Sequence, residues 1–189
     1  MEAGEVYHVY NRGNNKQKLF ETDHHFSIFL EKLEKYVCPA MDVFCYCLMP
    51  NHFHLLVRVK MNKALSDEQI SKAAIKSFKD MFISFSRTMN IGHGRTGALF
   101  QPKFKKKKVE DNAYFTWLVQ YIHLNPFKAG LCDRFRNWRY SSYNAIICNG
   151  PTKVARDEVR EWFGGVETFK AIHEQRIIDE ERIKDFIFD

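Results

Sequence analysis

Two runs of strand-forming residues, Asp42–Met49 and His52–Val59, are separated only by Pro50-Asn51. So short a connection closes only an antiparallel hairpin, and Pro and Asn supply the turn chemistry. The second run, His52-Phe53-His54-Leu55-Leu56-Val57-Arg58-Val59, is mostly apolar, β-branched or aromatic. Side chains alternate across a strand, so His52 and His54 share one face while Phe53 takes the other. Two imidazoles one pleat repeat apart on a rigid element suit a divalent cation. The plainer alternative is a pair of half-exposed strand histidines, because His is intermediate in burial. Cys45 and Cys47, just upstream, admit another: a four-ligand zinc site of Cys45, Cys47, His52 and His54.

The chain has 189 residues, enough for one substantial core. Hydrophobic residues make up 45% and aromatic residues 15%, which excludes a disordered tail. Five Cys in no secreted-framework spacing imply reduced thiols in a cytosolic protein. The Met1–Glu5 segment lacks a basic and apolar leader pattern, and no apolar run reaches membrane-spanning length. The expectation is a soluble intracellular protein with no membrane partner. The net charge of +6 is uneven. Residues 151–189 hold seven Lys and Arg against ten Asp and Glu, whereas the first 150 hold 22 against 13. A basic body points to a polyanionic partner.

In chain order, Glu5–Asn11 alternates as a strand and ends at an Arg12-Gly13-Asn14-Asn15 turn. Phe26, Phe29, Leu30, Leu33, Tyr36 and Val37 then mark one helical face, with Asp23 as cap and Pro39 as stop. His24 and His25 fall at its start and read as exposed residues. After the hairpin, Ser66-x-x-Gln69 opens a long helix to about Asn90, with Ile70, Ala74, Phe78, Phe82, Phe85 and Met89 on one stripe. The glycines at 92, 94 and 97 form a loop whose spacing matches no nucleotide-binding motif. Ala98–Val109 reads as extended, and Pro102 makes it an edge strand. Its Lys105, Lys106, Lys107 and Lys108 run reads as a rail for phosphates in preference to a solvated edge. Asp111 caps a further helix on which Tyr121 and Asn125, four apart, project on one side. Periodicity alone makes Tyr121 a core aromatic, and Pro126 makes Asn125 a cap.

Four blocks taken together are more specific. Cys47-Leu-Met-Pro-Asn-His52-Phe-His54-Leu-Leu-Val, Gly97-Ala-Leu-Phe-Gln101, Tyr121-Ile-His-Leu-Asn125-Pro and Trp138-Arg-Tyr140-Ser-Ser-Tyr143 stand in order at plausible spacing. The chain thereby resembles the single-tyrosine HUH transposases, and within them the REP-associated tyrosine transposase branch, over most of residues 5–145. The resemblance implies an α+β fold: a ferredoxin-like antiparallel sheet with helices packed on one face, plus a small C-terminal helical segment. It divides the chain into a catalytic domain over 1–150 and a helical extension over 151–189, for which no chemistry is assigned.

Carried over residue by residue, Tyr121 matches the nucleophile and His52 and His54 the metal-binding histidines. Asn125 matches the polar residue that completes the metal site, where relatives often have Gln; His123 reads as structural. The resemblance implies a divalent cation, Mg²⁺ or Mn²⁺, and single-stranded or hairpin DNA cleaved and rejoined through a 5′-phosphotyrosine without ATP. Arg12, Lys103, the Lys105–Lys108 run, Arg134, Arg136 and Arg139 are the candidate DNA-binding residues, while Trp138 reads as packing. A homodimer is compatible with it, and the implied location is a prokaryotic cytoplasm, at the nucleoid during action. Two other classes fit the residues taken singly: a non-catalytic nucleic-acid-binding module and a zinc-stabilised binding protein.

Overall fold

Four antiparallel strands lie in the order β2-β3-β1-β4 in the computed structural model, which describes residues 1–175. They are β1 (Val6–Arg12), β2 (Met41–Met49), β3 (His52–Val59) and β4 (Lys105–Lys108). Helices α1 (Asp23–Lys32) and α2 (Asp67–Gly92) make the two crossovers, the strand order of a ferredoxin-like unit. Beyond β4 come α3 (Asn112–Lys128), α4 (Tyr143–Ile147), α5 (Arg156–Trp162) and α6 (Val166–Glu174). The α+β class and the antiparallel sheet are as the sequence implied. Of the 151–189 segment, residues 176–189 lie outside the described residues.

The helices do not keep to one face. Helices α1 and α2 cover the face carrying Val9, Phe53, Leu55 and Val57, through Phe29, Phe78 and Phe85. The opposite face, with Cys45, Cys47, Met49 and Leu56, is covered by α3 to α6 through Phe115, Leu118, Ile122 and Phe169. The burial patterns require it: β2 and β3 are buried in both phases, with Phe53, Leu55, Val57 and Val59 on one face of β3 and the histidines with Leu56 on the other. A bulge at Phe44, between Val43 and Cys45, puts its ring on the α3 side, 5.3 Å from that of Phe115.

Local signals hold where they are backbone chemistry. The hairpin pairs Met49 with His52 across a two-residue turn. Ser66 and Gln69 form a reciprocal capping box, the Gln69 amide donating to Ser66 Oγ at 3.3 Å and the Ser66 amide to Gln69 Oε1 at 2.8 Å. Asp111 Oδ1 accepts from the Tyr114 amide at 2.6 Å to start α3.

Four details differ. Thr22, not Asp23, is the residue before α1, and the helix ends in a wider π turn over Leu33–Val37. Strand β4 is only Lys105–Lys108, because Phe100 turns into the core and Pro102 has no amide to donate. Asn125 is not a cap: α3 continues through Pro126 to Lys128, with the Ala129 amide bonded to the Asn125 carbonyl at 2.9 Å. His25 is buried rather than exposed, its Nε2 3.2 Å from that of His93 at the end of α2.

The extension is built into the body. Arg58 on β3 holds Asp42 at 2.8 Å and also pairs with Glu158 on α5. His123, inside α3, lies 3.0 Å from His173 on α6 and 2.8 Å from Ser142 Oγ. His173 Nδ1 donates to the Phe169 carbonyl at 2.8 Å, so its Nε2 accepts from His123 Nδ1, and His123 Nε2 accepts the Ser142 hydroxyl. One unbroken proton order therefore locks α3 to α6, and His123 is structural.

Candidate active site

The face of the sheet under α3 collects polar side chains at its His52 end. Register places Arg12 opposite His52 and Tyr10 opposite His54, with His8 one pleat further along β1. Met49 and Cys47 stand opposite the same two histidines on β2. All these side chains therefore point toward α3, which presents Tyr121 and Asn125 one turn apart.

The two histidines are unequally exposed: His54 is fully buried and His52 half-buried, so the site opens at the His52 end. Their rings stand 5.2 Å apart at 89°. His52 Nδ1 lies 2.7 Å from Asn51 Oδ1, which can only accept, so Nδ1 carries the proton and Nε2 the lone pair. His54 Nδ1 lies 2.9 Å from His8 Nε2, and its own Nε2 lies 3.4 Å from the Asn125 carboxamide nitrogen. Burial holds both rings in the neutral, ligand-competent form: His52 is pushed down to about 4, with Arg12 adding, and His54 is pushed well down. His8 is pushed down to about 3 by burial first and Lys107 second.

Tyr121 stands edge-on to His54, with ring centroids 5.7 Å apart, and stacks on Trp117 at 5.5 Å and 4°. It is 5% exposed. Burial pushes its hydroxyl up to about 12, and a hydrogen bond with the Asn125 carboxamide works the other way by favouring the phenolate. The same carboxamide also hydrogen-bonds His52, where it favours the charged ring but is outweighed by burial and Arg12. Asn125 thus touches Tyr121, His52 and His54 together, which explains why an amide stands there within a helix.

Two neutral imidazoles and one amide oxygen, with no thiolate, tolerate Mn²⁺ well and Mg²⁺ acceptably. The four-ligand zinc alternative fails on register. Cys45 stands opposite Leu56, two pairs from Cys47 and four from the level of His52, and burial pushes both thiols well above their ordinary range. Among the described residues no three His, Cys, Asp or Glu side chains converge on a metal-sized point.

The basic candidates separate by face. Lys105 and Lys107 pair with Tyr10 and His8 and lie on the site side, Lys107 Nζ 5.5 Å from the Tyr114 ring centre. Lys106 points to the other side, where with Lys103 it borders a groove of about 1070 Å³ between α2 and the loop before β4. Lys108 is held by Glu2 at 2.8 Å and Glu5 at 3.3 Å. Arg136 pairs with Glu174 at 3.3 Å and Arg139 with Asp23 at 2.6 Å, while exposed Arg134 borders a small hollow with Phe127 and Glu174. The structure therefore brings Arg12, Lys105 and Lys107 to the histidines and leaves the three arginines elsewhere. Trp138 packs against β2, its indole N–H donating to the Leu48 carbonyl at 2.9 Å. His8, Tyr10 and Asn51 are site residues that the sequence reading did not assign.

A ferredoxin-like sheet bearing two histidines beneath a helix-borne tyrosine is the layout of the single-tyrosine transposases resembled above. The chain belongs to the IS200-like transposase family, whose model matches residues 4–125. A curated Haemophilus influenzae relative, provisionally described as a REP-associated tyrosine transposase, is 26% identical over 104 residues, covering 53% of this chain and 58% of the relative. The chain thus spans less than two thirds of that relative's length. Among solved structures, a REP-associated tyrosine transposase bound to a REP hairpin aligns with a TM-score of 0.55 at 15% identity, covering 79% of this chain and 82% of that one. That likeness is one of fold. Among the described residues, no helix is long and apolar enough to cross a membrane.

Proposed function

We propose that this chain cleaves and rejoins single-stranded DNA through a covalent bond to Tyr121, with residues 1–150 as the catalytic body. The observation that carries this is the meeting of Tyr121, His52 and His54 on one carboxamide, Asn125. A divalent cation held by His52 Nε2, His54 Nε2 and the Asn125 amide oxygen would polarise the scissile phosphate and offset charge on its oxygens. The Tyr121 hydroxyl attacks phosphorus in line: the tyrosine oxygen–phosphorus bond forms and the bond to the 3′ oxygen breaks. The phenol proton leaves, and the departing 3′ oxygen ends as a hydroxyl. Asn125 stabilises the developing phenolate by hydrogen bonding, which a phenol shifted up to about 12 requires. Arg12 and the site-side lysines orient the phosphate. A second 3′-hydroxyl reverses the step, so no ATP is consumed.

A single-stranded substrate suits this layout: the site opens at the His52 end between α3 and the sheet, where an unpaired phosphate needs the least room. The REP hairpin bound by the structural neighbour makes a DNA hairpin the first substrate to try. Incubated with a hairpin-bearing oligonucleotide and Mn²⁺, the protein should form a DNA adduct that survives denaturation. Cleaved DNA without an adduct would overturn the reading.

Strand β4 gives a second test. Lys105→Gln with Lys107→Gln should flatten the slope of log affinity against log salt by about 1.4 on a single strand. Lys108→Gln, already satisfied by Glu2 and Glu5, should leave the slope alone. Equal slopes in all three proteins would return β4 to the role of a solvated edge.

A further inference from the structure

The metal-assisted reading leaves one buried polar group beside the site without a task. His8 lies on β1, fully buried, with its ring stacked on Tyr10 at 4.6 Å and nearly parallel to His54 at 16°. We propose that His8 is the positioning residue of the metal site: its Nε2 accepts the Nδ1–H of His54 and thereby fixes Nε2 of His54 as the nitrogen offered to the cation. The proposal rests on the metal reading given above.

The direction of the hydrogen bond follows from what the other nitrogen meets. His54 Nε2 faces the Asn125 carboxamide nitrogen, a donor, at 3.4 Å, so Nε2 holds the lone pair and Nδ1 the proton. The Nδ1–H then points at His8 Nε2, 2.9 Å away, which must accept. His52 is arranged the same way by a different partner, its Nδ1–H going to Asn51 Oδ1. Both ligand histidines thus present Nε2, each oriented by an acceptor outside the ligand set. Stacking on Tyr10 and the β1–β3 register hold the His8 ring against His54.

Two measurements test this on the intact chain. In the metal-free protein, two-bond ¹H–¹⁵N correlation should give His54 as the Nδ1–H tautomer, and His8→Leu should convert it to a mixture. Mn²⁺ binding, followed by the paramagnetic signal of the free ion without DNA, should weaken by about 10- to 100-fold in His8→Leu. His8→Gln, which keeps an acceptor, should recover most of that loss, and it serves in place of His8→Leu should the latter not fold. A residue that merely packs would lower thermal stability and leave both readouts alone. An Nε2–H tautomer for His54 in the parent would overturn the proposal. So would parental Mn²⁺ affinity in His8→Leu beside a clear loss in His52→Ala, with the metal reading left standing. No loss in either variant would overturn both.

Discussion

His52→Ala should lower DNA cleavage by at least about a hundred-fold and leave the fold almost untouched. The first effect follows because His52 is one of only two imidazoles in the donor set, and loss of a direct ligand exceeds the 10- to 100-fold typical of its supporting partners. The second follows from its half-buried position at the open end of the site, where truncation costs less than about 1 kcal/mol. His54→Ala is a poorer test. His54 is fully buried, so truncation leaves a cavity and removes the partner of His8, at a cost of about 2–3 kcal/mol or more. Cleavage rates in Mg²⁺ and Mn²⁺, with melting curves alongside, check both. A His52→Ala protein that cleaved like the parent would remove the metal assignment.

Tyr121→Phe should abolish adduct formation, a loss on the order of 10⁴- to 10⁶-fold in rate for removal of an attacking group. The substitution deletes one oxygen and keeps the stacking on Trp117 and the edge contact with His54. The hydrogen bond with Asn125 is lost, worth about 1 kcal/mol of stability. Binding of uncleaved DNA should therefore persist. Tyr114, stacked on Trp117 one turn toward the start of α3, has no matched role, and Tyr114→Phe should retain activity. Gel assays for denaturation-resistant DNA, with binding measured in EDTA, separate these outcomes.

How far the site was legible depends on the range of the interactions that make it. The hairpin and the shared face of His52 and His54 follow from an eight-residue alternation and a two-residue turn, both local. The caps at Ser66 and Asp111 are local as well. Tyr121 and Asn125 became site residues only through the joint spacing of four blocks; α3 by itself is apolar nearly all round and hides its functional side. The local signal at Pro126 favours a cap at Asn125, yet burial of α3 from Phe115 to Leu124 carries the helix past it. The burial of one face was written in Phe53, Leu55, Val57 and Val59, but the burial of the histidine face, and which helix would cover which face, was not. His8 and Tyr10 were invisible for a different reason. They join the site only through the register between β1 and β3, strands more than forty residues apart, and no local pattern encodes that register. The lysine run was similarly resolved only by pairing, which turns Lys105 and Lys107 toward the histidines and Lys106 away.

The central claim is that the oxygen of Tyr121 becomes bonded to DNA. Mass spectrometry of the protease-digested adduct, formed on a hairpin-bearing single strand in Mn²⁺, measures that bond directly. The account predicts a peptide of α3 bearing a nucleotide on Tyr121 through a 5′ phosphate, with a free 3′-hydroxyl on the released upstream fragment. A nucleotide on Tyr10 or Tyr114, or a 3′-phosphate link on Tyr121, would contradict it.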